Sequence, residues 1–492
     1  MSAAGDLRRL ALEVVMPGFV GTTPPDWLLD ATEAGLGGVA LFGQNVGSEE
    51  QVQALTSRLH AAGPVLVASD EEGGSVTRLD LHGGSRWPGA AALGVLDDVD
   101  ATHEVARGLG LQARAAGVDL VLAPVLDVNS EPDNPVIGVR SFGADPALVA
   151  RHGAAAVRGL AEAGVAACAK HFPGHGDTRT DSHVGLPVVG VDEATWRARD
   201  LPPFAAAVAA GVPCVMTAHL VLSWLDERPA TLSAPVLRVL REELGFAGVI
   251  ATDALDMKAV SARTGRGPAA VAALAAGADL VCIGNPAFPE PYDDGSALEE
   301  VVAAIVAAVA DASLPADRLE EAAGRVAALA ATVGAGDPAP AERVDEQTQR
   351  SLGARVAANA LTTTGDVRLR GDAVVLAPAA ALGYAAGRRP SELLAELARR
   401  RPGWPVVDVT DAAAAAAAAR AAAPAREVLV VVEGNDPRHD LVGAVLAQVP
   451  DAVVAYGGLA RPDDPGARTL HTHGTGAATA VAAADVLLGP LR

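Results

Sequence analysis

The chain has 492 residues, half of them hydrophobic, with 3 % aromatics and a formal net charge of −22. That length asks for two or three domains rather than one core. The charge argues against a nucleic-acid partner, which needs clustered Lys and Arg, and so few Trp and Tyr argue against a long sugar-stacking groove.

The first residues, Met-Ser-Ala-Ala-Gly-Asp-Leu-Arg-Arg, lack the basic-then-apolar order of a signal peptide. No apolar run is long enough to span a bilayer, so a cytoplasmic protein without a membrane partner is expected. Short apolar runs then recur at 13–16, 38–42, 65–69, 120–125, 165–171, 213–219, 249–253 and 279–284. Ala/Leu-rich stretches of helical period lie between most of them, for example 49–61, 147–163 and 201–210. Strands alternating with helices imply parallel pairing through crossovers, and eight such units predict a (β/α)8 TIM-type barrel.

In a barrel of this kind the strand C-termini converge on one pocket. Asp70-Glu71-Glu72 through Arg78 follows the third run, and Asp127, Asn129, Asn134 and Arg140 follow the fourth. The fifth delivers Lys170 and His171 into a Gly-rich loop that also carries His175, Asp177, Asp181 and His183. Asp181 and His183, two residues apart, form a ready proton-transfer pair, with an Asx-turn beside an exposed His as the plain alternative. Three His and an Asp suggest a ligand set, but Pro173, Gly174 and Gly176 rule out two His on one helix face, and no metal or cofactor is expected. His219 ends the sixth run and reads as a hydrogen-bonded core histidine. Asp253 closes the seventh, placed either as a nucleophile or as the N-cap of a helix from Ala254. Asn285 follows the eighth.

A helical stretch over 297–331 leads to Gly334-Ala-Gly-Asp-Pro-Ala-Pro. This Gly/Pro cluster divides the chain into a barrel over 1–335, a linker over 336–349 and a smaller α/β sandwich over 350–492. In the latter, strands are expected at 373–377, 405–409, 428–432 and 453–456, with helices at 391–400 and 441–448. The Ala tract 412–419 reads as one exposed helix, and Gly474-Thr-Gly-Ala-Ala as a turn, since it lacks the Lys of a P-loop. Cys168, Cys214 and Cys282 sit in apolar runs, match no zinc spacing and read as buried thiols.

Residues 170–187, 70–78, 134–143 and 251–257 together resemble the family 3 glycoside hydrolases, and within them the bacterial β-N-acetylglucosaminidase branch. The likeness runs from about residue 10 to 335, with Gly176-Asp-Thr-Arg-Thr-Asp-Ser-His its most specific part. Beyond 350 it rests on the two-domain layout and on residues 356–364. Glu71, Ser75 and Thr252 stand where that branch commonly has Gln, Arg and Ser.

The resemblance implies an exo-acting, retaining β-N-acetylglucosaminidase working through a covalent glycosyl-enzyme. Asp253 would be the nucleophile, and His183 the general acid/base with Asp181 as its partner. Asp70, Arg78, Arg140, Lys170 and His171 would hold the terminal sugar. Carboxylate plus imidazole would then replace the usual carboxylate pair of retaining enzymes, about 5–5.5 Å apart. The partner expected is a small carbohydrate, such as a muropeptide or a chitin oligosaccharide, and peptidoglycan recycling is one role implied. The alternatives are a phosphorylase that uses phosphate as acceptor, a β-glucosidase, and a sugar-binding protein without turnover.

Overall fold

The computed structural model describes residues 3–182, 185–334, 346–378, 391–434, 438–461 and 463–490. Contacts divide the chain into two compact units. The first comprises 1–71, 102–131 and 144–344, and the second 72–101, 132–143 and 345–492.

The first unit carries β1 (Val15–Pro17), β2 (Gly38–Leu41), β3 (Leu66–Ser69), β4 (Leu120–Val121), β5 (Ala166–Phe172), β6 (Val188–Val189), β7 (Cys214–Thr217), β8 (Val221–Leu222), β9 (Val249–Ala251) and β10 (Val281–Gly284). Hydrogen bonds join β2-β3-β4-β5-β7-β9 into one parallel sheet and β1 to β10 in a parallel pair. A parallel bridge from Ala251 to Leu280 links β9 to the entry of β10. A Cβ on Gly38 would lie 3.1 Å from the Met16 side chain, so β1 also lies against β2. Eight parallel strands thus form a TIM-type barrel, and each of the eight apolar runs supplies one of them. β6 and β8 make a separate two-stranded ribbon that the sequence does not announce.

The interior is filled by alternate residues of the eight strands, large against small. Met16, Leu66, Leu120, Leu122, Met216 and Leu280 interleave with Ala40, Ala68, Ala166, Cys168, Cys214, Ala251 and Cys282. This is a packed core rather than a pore. All three cysteines are free and buried. The expected helix over 297–331 is two helices, Asp294–Ala310 and Ala316–Val333, because Pro315 cannot continue the first and stands instead just before the first residue of the second. The second lays Val326, Leu329 and Ala330 on the barrel core, and its Arg318 and Arg325 reach Asp279, just before β10. It therefore closes the amino end of the strands and leaves the carboxyl end for chemistry.

In the second unit, β11 (Thr362–Thr364), β12 (Ala373–Pro378), β13 (Val406–Val409), β14 (Glu427–Val432), β15 (Val453–Tyr456) and β16 (Thr469–His471) form one sheet in the order β11-β16-β15-β14-β12-β13. Only β11 runs antiparallel, against β16. The helices Glu392–Arg400 and Ala477–Leu488 cover one face, and Ala412–Ala422 and His439–Leu446 the other. The result is the α/β sandwich expected. The Ala tract is not simply exposed: Ala415 and Ala419 are fully buried against the sheet, where the small side chain permits close approach. Gly474-Thr-Gly leads into the helix Ala477–Leu488.

Two early segments belong to this unit. A Cβ on Gly353 would meet the Arg86 carbonyl at 1.9 Å, and one on Gly94 the Phe142 carbonyl at 1.8 Å, so both glycines mark close backbone approach. Residues 336–345 of the expected linker lie outside the described residues, and 346–349 are already helical in Glu346–Ala360. Among the described residues no helix is long and apolar enough to cross a membrane.

Candidate active site

The barrel brings Asp70, Lys170, His171 and Asp253 to the carboxyl ends of their strands. Asp70 follows β3 and accepts from Lys170 Nζ at 2.7 Å. Lys170 is 2 % exposed, so this ion pair sits at the inner edge of the site, where screening is weak.

After β4 the chain continues beside β5, with Leu126 N–H bonded to the Lys170 carbonyl at 2.6 Å. That pairing delivers Asp127, a fully buried carboxylate. Its Oδ2 takes His171 Nδ1 at 2.7 Å, while Oδ1 accepts the backbone N–H groups of His171 and His175 at 3.3 and 2.6 Å. Burial alone would raise the Asp127 carboxyl, but the two histidines outweigh it and hold it below the ordinary carboxylate value. With Nδ1–H given to Asp127, His171 keeps Nε2 as its other polar atom.

The loop after β5 is fastened at many points. Trp196 Nε1 donates to the Pro173 carbonyl at 3.0 Å. A Cβ on Gly176 would stand 1.8 Å from the Val128 carbonyl, so only glycine passes there. Ser130 and Arg199 hold the Asp177 carboxylate at 3.1 and 3.2 Å, and Arg199 also pairs with Asp200 at 2.8 Å. Burial raises the Asp200 carboxyl to about 6 despite that pairing. His175, within the loop, is pushed down to about 4, foremost by burial. Asp181 is described, and its carbonyl accepts Gly185 N–H at 3.0 Å. His183 lies outside the described residues.

Asp253 follows β9. Its backbone N–H reaches the Thr217 carbonyl at 3.3 Å, and its Oδ1 accepts Ala254 N–H at 2.8 Å. No helix begins at Ala254; the next one starts at Lys258, so Asp253 is not an N-cap. Beneath it, His219 is fully buried, bonded to Thr231 and to the Ala254 carbonyl at 2.8 and 2.9 Å. It is the core histidine expected. The Cys282 thiol is pushed far up by burial and then by the carboxylates of Asp256, Asp253 and Asp70, which gather at this end of the strands. Asp256 accepts from Asn285 N–H at 2.8 Å and Tyr292 OH at 3.3 Å. Asn285 Oδ1 in turn takes Gln44 Nε2 at 2.8 Å.

Arg78 and Arg140 belong to the segments of the second unit. Arg140 is bound in a fork by Glu72, at 2.8 and 2.9 Å, a bidentate pairing that fixes the guanidinium plane. Both arginines are 8 % exposed.

Sequence reasoning missed the anchoring role of Asp127, although a carboxylate in the apolar stretch 125–128 was a usable signal. It also missed Arg199, Asp200, Asp256 and Tyr292, whose contacts are long-range and carry no local pattern. Among the described residues, no group of three His, Cys, Asp or Glu is arranged to hold a metal ion.

Residues 26–329 match the model of the glycosyl hydrolase family 3 N-terminal domain. The chain is 35 % identical over 333 residues to β-hexosaminidase A of Pseudoalteromonas piscicida, a match that covers 63 % of this chain and 55 % of that one. A solved family 3 β-N-acetylglucosaminidase from a Paenibacillus species superposes with a TM-score of 0.86 at 32 % identity, covering 99 % of this chain and 97 % of that one. The β-N-acetylhexosaminidase of Beutenbergia cavernae gives 0.58 at 31 % identity over 66 % of this chain and 98 % of its own.

Proposed function

The chain belongs to glycosyl hydrolase family 3, and on that premise we propose that it is an exo-acting, retaining β-N-acetylglucosaminidase. The observation that carries this reading is the constellation at the barrel mouth. Asp253, fixed by its strand and by Ala254 N–H, stands with the Asp70–Lys170 pair and the Asp127-held His171. The relatives named β-N-acetylglucosaminidase and β-hexosaminidase support the choice of sugar.

Asp70 and Lys170 offer an acceptor and a donor side by side, which suits neighbouring hydroxyls of one sugar ring. His171 adds one more ring atom of fixed tautomer. Arg78 and Arg140 remain proposed sugar-binding residues on the family resemblance.

Asp253 attacks the anomeric carbon as the bond to the aglycone oxygen breaks, and His183 gives that oxygen its proton. The same imidazole then takes a proton from water, which attacks the anomeric carbon and releases Asp253. Asp181 holds the tautomer of the neutral imidazole between the two steps and stabilises the imidazolium that precedes the first and follows the second.

The test is the initial rate of aryl release from an aryl β-N-acetylglucosaminide, beside the matched β-glucoside and with phosphate added. Release from the acetamido substrate, with free N-acetylglucosamine as product, is expected. Equal or faster release from the glucoside, or chiefly N-acetylglucosamine 1-phosphate in phosphate buffer, overturns the assignment. Asp253→Ala is expected to lower kcat by about 10³-fold or more while sugar binding survives.

A further inference from the structure

His175 is buried and has its own set of partners. Nδ1 lies 2.7 Å from Thr178 Oγ1, and Nε2 lies 3.2 Å from Ser182 Oγ. Thr178 directs its hydroxyl proton to the His175 carbonyl at 3.1 Å, so its oxygen accepts from Nδ1–H. Nε2 then bears the lone pair and accepts the proton of the Ser182 hydroxyl. This directed chain closes only with a neutral imidazole, the form that burial favours.

Ser182 is the residue between Asp181 and His183. Its hydroxyl is tied to His175, whose backbone is fixed to Asp127 beside β5. Its carbonyl accepts Ala259 N–H at 3.3 Å, in the helix Lys258–Thr264 that follows Asp253. One buried serine therefore spans from the β5 side of the barrel mouth to the β9 side. Whatever sets Ser182 sets where the peptide bonds to both its neighbours begin.

We propose that His175 and Ser182 act as positioning residues, a latch that fastens the chain at Ser182, which lies between Asp181 and His183 in sequence, to the segment that follows Asp253. The inference rests on the assignment of that dyad as general acid/base. Neither residue touches the sugar in this scheme. Their effect is on proton delivery to the leaving oxygen, which matters for a poor leaving group and little for a good one.

The experiment compares kcat/KM on N,N′-diacetylchitobiose with that on dinitrophenyl β-N-acetylglucosaminide, for Ser182→Ala, His175→Ala and the double variant. On the disaccharide each single change is expected to cost about 10-fold or more, and on the activated substrate no more than about threefold. Because both act through one hydrogen bond, the double variant is expected to lose no more than the worse single. Equal losses on the two substrates, or losses that multiply in the double, overturn the latch. Should His175→Ala fail to fold, Ser182→Ala decides alone through its substrate dependence. His183→Ala separates the two ideas. If it hits both substrates alike, the dyad assignment fails. If it discriminates between them and Ser182→Ala does not, only the latch fails.

Discussion

A neutral imidazole in a dry place has a cost that depends on pH. His175 falls from an ordinary 6.5 to about 4 on folding, so between those values the unfolded chain binds the extra proton and the folded one does not. Stability is therefore lost as pH falls from 6.5 towards 4, by about 3 kcal/mol if His175 acted alone. Asp200 works the other way: its carboxyl is raised to about 6, so it favours the folded state less as pH rises from about 4 to 6. A His175→Gln variant, which cannot titrate, is expected to show a shallower acid-side fall in thermal midpoint than the parent. Identical pH profiles by scanning calorimetry would remove His175 from this account. At this scale the sequence was partly legible. Lys170, His171 and Asp253 announce themselves as polar residues closing apolar strands. Asp127 stands out only as a carboxylate in an apolar stretch; its anchoring role lies in two histidines more than forty positions away that the β4–β5 pairing brings to it.

Elements explain why one end of the barrel is free for chemistry. Asp279, fully buried just before β10, is bonded by Arg241, by Arg318 at 2.5 Å and by Arg325 at 3.1 Å, and it also accepts Ile250 N–H at 2.9 Å. One carboxylate thus gathers three guanidinium groups from two separate helical segments and ties them to the strands. Asp279→Asn leaves those cations without their shared counter-ion, and a loss of about 3 kcal/mol is expected, visible as a lower thermal midpoint with kcat/KM of the surviving enzyme little changed. A midpoint unchanged within error would count against the knot as a stabilising feature. The eight barrel strands were legible because each is an apolar run with polar ends. β11 and β16 were not: Thr362–Thr364 is wholly exposed, and Thr469–His471 offers one aliphatic residue. Their pairing comes from backbone hydrogen bonds that leave no hydrophobic alternation to read. The two-residue strands β6 and β8 fall below any periodicity.

The molecule as a whole is not cut where its composition changes. Residues 72–101 and 132–143 pack with 345–492: Arg86 is bound by Asp80 and by Gln349 at 2.7 and 3.3 Å, and Ser85 accepts Ala478 N–H at 3.3 Å. A chain truncated after Gly334 would strip these segments, and the Arg78 and Arg140 they carry, of the residues they pack against. Limited proteolysis is expected to nick such a chain first within 72–101 or 132–143, and its activity on β-N-acetylglucosaminides to fall well below that of the full chain. A truncated chain as active and as protease-resistant as the parent would show that these segments hold their structure without the second unit.

The order in which the chain is made gives that exchange of segments another meaning. Residues 72–101 and 132–143 leave the ribosome long before Asp345, so for most of synthesis the rest of their own unit does not yet exist. The barrel strands can pair as they emerge, but these two excursions must wait, apolar residues such as Trp87, Leu93 and Phe142 included. Late, long-range closure of this kind slows folding and leaves sticky intermediates in the interval. Expression that stalls or ends early is therefore more hazardous for this chain than for one whose units follow each other in sequence.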